Sequence, residues 1–243
     1  MDKSNALESY RRDGFLLLRG AIPHEAIDAL LGRYLEVVRS VTGRSFADPF
    51  GADLVAFYNE HPDLESQVYV AIRSTPWLEE FSRHPALLAS VGTLLGDRFG
   101  LFAKIPFRID MPLWTKELAY WHQDHFYVRG NTEVITAWAP MQDTRWDRGC
   151  LMVMPRSHAE GVIPHDLPVG KKNVPSNIFD REVRFVEMMK GDLLLFSALL
   201  MHSSGLNISD SIRYSIQARF TPLGLPVDAG MGAVLNVSAR GEL

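Results

Sequence analysis

A change of hydrophobic period near residue 99 constrains this chain more than any other feature. Before it, apolar residues recur at helical spacing; after it, they alternate or run in short blocks, as strands do. Residues 8–20 read as a short helix, a stop at Gly14 and a buried strand. A helix follows from about Pro23, with a stripe of Ile27, Leu30, Leu31, Tyr34, Leu35 and Val38. Residues 64–82 also read as helical. Residues 85–95 do so more firmly, because Pro85 suits a first turn and Gly96 suits a cap. Residues 101–111 then alternate, with Leu101, Ala103, Ile105, Phe107 and Ile109 on one face and Lys104, Pro106 and Arg108 on the other. Further strands are expected at 121–128, 134–141, 151–154, 183–189, 192–199 and 212–220. Many short strands after a helical prefix predict a mostly β architecture, a double-stranded β-helix (jelly roll, cupin-like) with helices packed on one sheet. We expect one domain over residues 1–243, with helical support to about residue 98, a jelly-roll core over about 99–222 and a weakly patterned tail beyond.

Two long stretches interrupt this pattern. Residues 43–63 mix Phe46, Phe50, Phe57 and Tyr58 with Gly, Pro and Asp, and read as a loop that could cover a substrate. Residues 160–182, rich in Pro, Gly and Lys, read as a second loop at the barrel mouth.

Composition narrows the function classes. The 243 residues are 47% hydrophobic and 22% charged, ordinary values for a chain with one sizeable core. A net charge of -4 and a pI near 6.1 give no sign of a nucleic-acid surface or a polybasic membrane anchor. Cys150 is the single cysteine, which excludes an internal disulfide and a multi-thiolate zinc site and suits a cytoplasmic protein. The first residues lack the apolar core of a signal peptide, and no window reaches the length of a membrane span. The expected partner is a small molecule, with no nucleic acid and no membrane; the expected assembly is a monomer or homodimer.

The chemistry concentrates in 121–128. Read as a strand, this segment puts His122 and Asp124 on one face, an imidazole beside a carboxylate, a pair suited to a divalent metal. A third ligand must come from elsewhere. His24, His61 and His84 stand beside proline in the helical prefix and look like surface or capping residues. His125 should face away from Asp124, His158 reads as structural, and His165 lies in the second loop. His202 differs, because it ends a very apolar run from Leu193; a polar group emerging there either finds a partner or binds something. The strand at 212–220 then carries Arg213, Ser215, Gln217 and Arg219 on one face.

Taken together, His122-x-Asp124, His202 and Arg213 eleven residues later resemble the phytanoyl-CoA dioxygenase family of iron(II)- and 2-oxoglutarate-dependent oxygenases. Three further segments are similar to that family: Tyr10 to Phe15, Gly149-Cys150-Leu151 through Ser157-His158, and Gly191-Asp192 through Gly205. The resemblance implies that His122, Asp124 and His202 hold Fe(II) and form the catalytic centre. It implies that 2-oxoglutarate chelates the metal, with its far carboxylate on Arg213, and that O2 takes the remaining position. Trp138 and Ser204 resemble residues that line the co-substrate pocket, and Lys104 or Arg108 could add a second cation. Gln123, Tyr127, Arg108 and Tyr58 are candidate substrate contacts. The implied reaction oxidises an unactivated C–H bond of a small organic metabolite, most often by hydroxylation, releasing succinate and CO2. The same chemistry could end in desaturation, epoxidation or ring closure. A jelly-roll metalloenzyme without 2-oxoglutarate has no need of Arg213, and a decayed binding protein has no need of all four residues.

Overall fold

The computed structural model describes residues 3–115, 118–169, 172–175 and 180–241. Its helical part comprises α1 (Lys3–Asp13), α2 (His24–Thr42), α3 (Ala52–Glu60), α4 (Pro62–Arg73), α5 (Trp77–Ser82) and α6 (Pro85–Leu95). Gly14, at φ +83°, turns the chain out of α1 into β1 (Phe15–Leu18). The remaining strands are β2 (Arg98–Phe102), β3 (Phe107–Asp110), β4 (Ile135–Pro140), β5 (Leu151–Val153), β6 (Leu167–Val169), β7 (Lys172–Val174), β8 (Arg184–Val186), β9 (Leu193–Ser197), β10 (His202–Ser204), β11 (Arg213–Pro222) and β12 (Val234–Ser238). A one-turn helix, α7 (His125–Val128), separates β3 from β4. Among the described residues, no helix is long and apolar enough to cross a membrane.

Two antiparallel sheets make the jelly roll. The larger runs β1-β9-β4-β11-β2-β12, with β3 also paired to β11; the smaller runs β10-β5-β8. The central strands of the larger sheet, β9, β4 and β11, are buried on both faces, and their alternation sorts the side chains. Leu193 and Leu195 of β9, Ile135, Ala137 and Ala139 of β4, and Tyr214, Ile216, Ala218 and Phe220 of β11 share one apolar core with the helices. Their neighbours Leu194, Phe196 and Trp138 instead meet Leu151, Val153 and Val186 of the smaller sheet. Two covered faces explain why these strands read as nearly continuous apolar runs. The polar residues on the inner side, Thr136 of β4 and Arg213, Ser215, Gln217 and Arg219 of β11, are therefore conspicuous.

Four expectations change. The strand expected at 101–111 is two strands, β2 and β3, because Pro106 has no N–H to offer; its carbonyl still accepts from Gln217 N at 3.0 Å. Residues 43–63 are not an open loop: α3 fills their second half and buries Leu54, Phe57 and Tyr58. The tail adds β12 to the edge of the larger sheet, against β2. Residues 121–128 make one bridge at His122 and then coil into α7, since Tyr127 N and Val128 N both donate to Asp124 O, at 2.9 and 3.0 Å. The aromatic and β-branched content of that segment loses to its tertiary anchoring. In the second expected loop, residues 170–171 and 176–179 lie outside the described residues; β6 and β7 pair as a hairpin within the rest.

A chain of tyrosine hydroxyls ties the helices to β11. Tyr34 and Tyr58 lie 2.8 Å apart, Tyr214 donates to Pro49 O at 2.7 Å, and all three rings are buried. Burial raises each phenol above its ordinary value, so all stay protonated at neutral pH. Tyr58→Phe should lower stability by about 1 kcal/mol in urea unfolding, the worth of one internal hydrogen bond, and leave metal binding unchanged.

Candidate functional site

His122, Asp124 and His202 are the one group of possible metal-ligating side chains that converges among the described residues, with one ligand atom from each within 4.8 Å of the others. All three are buried. Backbone pairing brings the two histidines together: His122 N donates to His202 O at 2.9 Å, and His202 N returns the bond to His122 O at 3.0 Å. Their rings lie 4.2 Å apart. His122 Nδ1 faces Tyr120 O at 2.5 Å and His202 Nδ1 faces Leu200 O at 3.0 Å. A carbonyl only accepts, so each Nδ1 carries its ring's proton and each Nε2 keeps its lone pair. Asp124 opens the turn of α7, with Oδ1 3.8 Å from His122 Nε2.

Electrostatics set the protonation states a metal requires. Burial, helped by the neighbouring His122, pushes His202 down to about 3, so its ring is neutral at physiological pH. Burial alone would raise the Asp124 carboxyl. The charge of Arg219, together with the hydrogen bonds Arg219 donates, outweighs that and holds it well below the usual carboxylate range. Arg219 grips Asp124 with two bonds, Nε to Oδ2 at 3.2 Å and Nη2 to Oδ1 at 3.0 Å; Thr136 Oγ1 adds a third, to Oδ2 at 2.5 Å.

The triad opens into a cavity of about 200 Å³ that is also lined by Tyr69, Arg108, Tyr127, Trp138, Ser204 and Gln217. Trp138 Nε1 is buried with no hydrogen-bond partner among the described residues. Arg213 sits behind the Trp138 ring, its guanidinium 5.7 Å from the centroid, and is not part of the cavity wall. Its Nη1 donates to Ser215 Oγ at 3.2 Å. Its Nη2 lies 2.8 Å from Asp110 Oδ2, close enough for an ion pair but not aligned for a hydrogen bond, and its Nε has no partner among the described residues. Asp110 is shared with Arg108, whose Nη2 is 2.6 Å away.

Several expected contacts lie elsewhere. Lys104 is exposed and donates to Gly230 O, outside the cavity. Tyr58 is wholly buried in the helical core. Gln123 is also buried, and its amide is spent on structure: Nε2 donates to Gly161 O and Leu199 O, and Oε1 accepts from Ile163 N. Trp138, Ser204, Arg108 and Tyr127 do line the cavity. His158 bonds Arg11 O at 3.0 Å, as a structural residue would. The sequence alone does not mark Arg219, Thr136, Asp110, Tyr69 or Gln217 as neighbours of the triad or of its cavity. Period-two counting from Arg213 does reach Gln217 and Arg219, but nothing in the chain reveals that Arg219 meets Asp124.

Comparison with known proteins agrees with this geometry. A profile of the phytanoyl-CoA dioxygenase (PhyH) family matches residues 10–215. The chain is 26% identical over 243 residues to 1-deoxypentalenic acid 11-beta-hydroxylase of Streptomyces exfoliatus, covering 91% of this chain and 82% of that one. Among solved structures, the non-heme monooxygenase ThoJ superposes with a TM-score of 0.70 at 22% identity, over 98% of this chain and 84% of the other. EctD from S. alaskensis, solved with 2-oxoglutarate and 5-hydroxyectoine, gives 0.62 at 15% identity, over 94% and 78%. These two likenesses concern the fold, which is the jelly roll that the strand pattern implies. The chain belongs to the phytanoyl-CoA dioxygenase family and is an iron(II)- and 2-oxoglutarate-dependent oxygenase.

Proposed function

We propose that this enzyme hydroxylates an unactivated C–H bond of a small organic metabolite, with His122, Asp124 and His202 holding the iron. The observation that carries the reading is the buried convergence of two histidine side chains and one ionised carboxylate at the wall of a cavity. This donor set suits Fe(II), because two histidines and one carboxylate on one face leave further positions for ligands. Unpaired donors beside the cavity support the co-substrate as well: Trp138 Nε1, on the wall, would be satisfied by an incoming carboxylate, and Arg213, one layer behind that ring, adds positive charge. We also read the chain as a single domain, since the helices and the larger sheet share one core.

Fe(II) held by His122, Asp124 and His202, with 2-oxoglutarate beside it, would supply the activation of O2, one oxygen atom going to succinate beside CO2 and the other to the substrate. The residues position and shield. His122 and His202 present fixed lone pairs, and Asp124 supplies the one negative ligand. Ser204 and Trp138 border the co-substrate space, with Arg213 one layer deeper, and Phe196 and Leu151 keep that end of the cavity apolar. Tyr69, Arg108, Tyr127 and Gln217 face the space left for substrate. The relative from Streptomyces exfoliatus is named as a hydroxylase, which favours hydroxylation over desaturation or ring closure.

Anaerobic titration tests the site. Addition of Fe(II) and then 2-oxoglutarate to the purified protein should produce the visible charge-transfer band of the chelated iron. His202→Ala should abolish the band. Arg213→Ala should weaken 2-oxoglutarate binding by about 10- to 100-fold, the worth of a hydrogen bond to a charged group. A protein that binds metal yet gives no band would not be using 2-oxoglutarate here.

The metal-free protein should also respond to acid. Below pH 6.5 the unfolded chain protonates His202, while the folded chain resists until about pH 3. The unfolded state therefore binds more protons in that window, and stability falls with pH by up to about 1.4 kcal/mol per unit. His165, also lowered by burial, adds in the same direction. Asp124 and Asp110 are depressed carboxylates whose contribution is lost only below their ordinary range, so the loss between pH 6.5 and 4 belongs to the histidines. Urea midpoints of chelator-treated protein at pH 7 and pH 5, with His202→Gln alongside, measure this; the variant should show the flatter slope.

A further inference from the structure

Arg219 lines the cavity as a cation paired with the Asp124 carboxylate, and the function just proposed gives it no task. It stands six residues after Arg213 on the same inner face of β11, where Tyr214, Ile216, Ala218 and Phe220 take the opposite face. It is 8% exposed and Asp124 is 2% exposed. Burying two charges carries a large desolvation cost, so the pairing needs good geometry to persist. The geometry is good. The guanidinium spans the carboxylate side-on, Nε on Oδ2 and Nη2 on Oδ1, and Thr136 closes on Oδ2 from the adjacent strand β4.

The two oxygens are thereby made unequal. Oδ2 accepts from both Thr136 Oγ1 and Arg219 Nε, which occupies its lone pairs. Oδ1 accepts from Arg219 alone and is the oxygen that faces His122 Nε2. We propose that Arg219 is a positioning residue which, with Thr136, makes Asp124 enter the metal's coordination sphere through Oδ1 alone. A carboxylate free to rotate could bind through both oxygens and take a position that the co-substrate needs. One that is tied down cannot. The proposal rests on the reading of His122, Asp124 and His202 as metal ligands.

The test uses Mn(II) as metal probe, followed by the disappearance of the free ion's EPR signal, on the parent, Arg219→Gln, Arg219→Lys and Thr136→Val, each confirmed folded by circular dichroism. Loss of an outer partner of a metal ligand typically weakens metal binding about 10- to 100-fold, and Arg219→Gln should fall in that range. Arg219→Lys keeps the charge but cannot hold both oxygens, so it should behave like Arg219→Gln rather than like the parent. Thr136→Val removes one hydroxyl with little change of shape and should shift affinity in the same direction by less; it decides the matter if the arginine variants do not fold. At saturating Fe(II), the 2-oxoglutarate charge-transfer band should be weaker in the arginine variants than in the parent, a change that a purely structural ion pair would not cause. Folded variants with parental Mn(II) affinity and a parental band would overturn the proposal. A parent that shows no band would overturn the 2-oxoglutarate reading instead, and the Mn(II) comparison would still decide the role of Arg219.

Discussion

The reciprocal backbone bridge between His122 and His202 is the interaction on which the site depends. Eighty residues separate the two histidines in the chain, and neither ring could be aimed at the other by local structure alone. The exchange of two N–H to O=C bonds fixes both backbones. A carbonyl two residues before each ring then fixes its tautomer. Two residues after His122, Asp124 opens the turn of α7, whose Tyr127 and Val128 N–H groups hold its carbonyl. The three side chains need only their own short reach to meet.

Backbone contact of a similar kind holds the surroundings. Gly205 N donates to Cys150 O at 3.0 Å, and an added Cβ on Gly149 would stand 2.7 Å from Gly205 O. The strands that follow and precede these glycines are β5 and β10, the pair that carries His202. Two sequence segments that resemble the family therefore have one physical reason: they pass too close for side chains. Gln123 works likewise, joining Gly161, Ile163 and Leu199 through one amide and so fixing the segment between His122 and Asp124. A residue between two candidate ligands invites a functional reading, yet here the amide braces the backbone that holds them.

Legibility of the chain followed burial pattern. The helices with one clear stripe, α2 and α6, and the strands of the doubly covered sheet were readable because their periodicity states which face is inside. His202 was readable as a polar residue ending an apolar strand. The helix at Ala52–Glu60 is hard to read, although Leu54, Phe57 and Tyr58 have helical spacing, because Gly51 and the prolines around it speak more loudly of a loop. β12 leaves little signal because Val234–Ser238 is short, lies among glycines and is completed only by its partner β2. The segment 121–128 has the composition of a strand without being one, because strand propensity is a statement about fitting a sheet, and most of that segment has no sheet to fit. Arg219 shows the deeper limit. Its face could be counted from Arg213, but the carboxylate it meets belongs to another segment, and only the fold introduces them.

The alternation along β11 also guards assembly. Its inner row is Arg213, Ser215, Gln217 and Arg219; its outer row is Tyr214, Ile216, Ala218 and Phe220. A slip of one residue against β4 would exchange the rows, thrusting two guanidinium groups among the tyrosines and leucines beneath the helices and leaving hydrocarbon where the carboxylates wait. Few errors of pairing could be more costly, because each misplaced charge would be buried without a counter-ion. The inner polar row of β11 thus doubles as a lock on strand alignment, and the step that sets the register also brings Arg219 to Asp124.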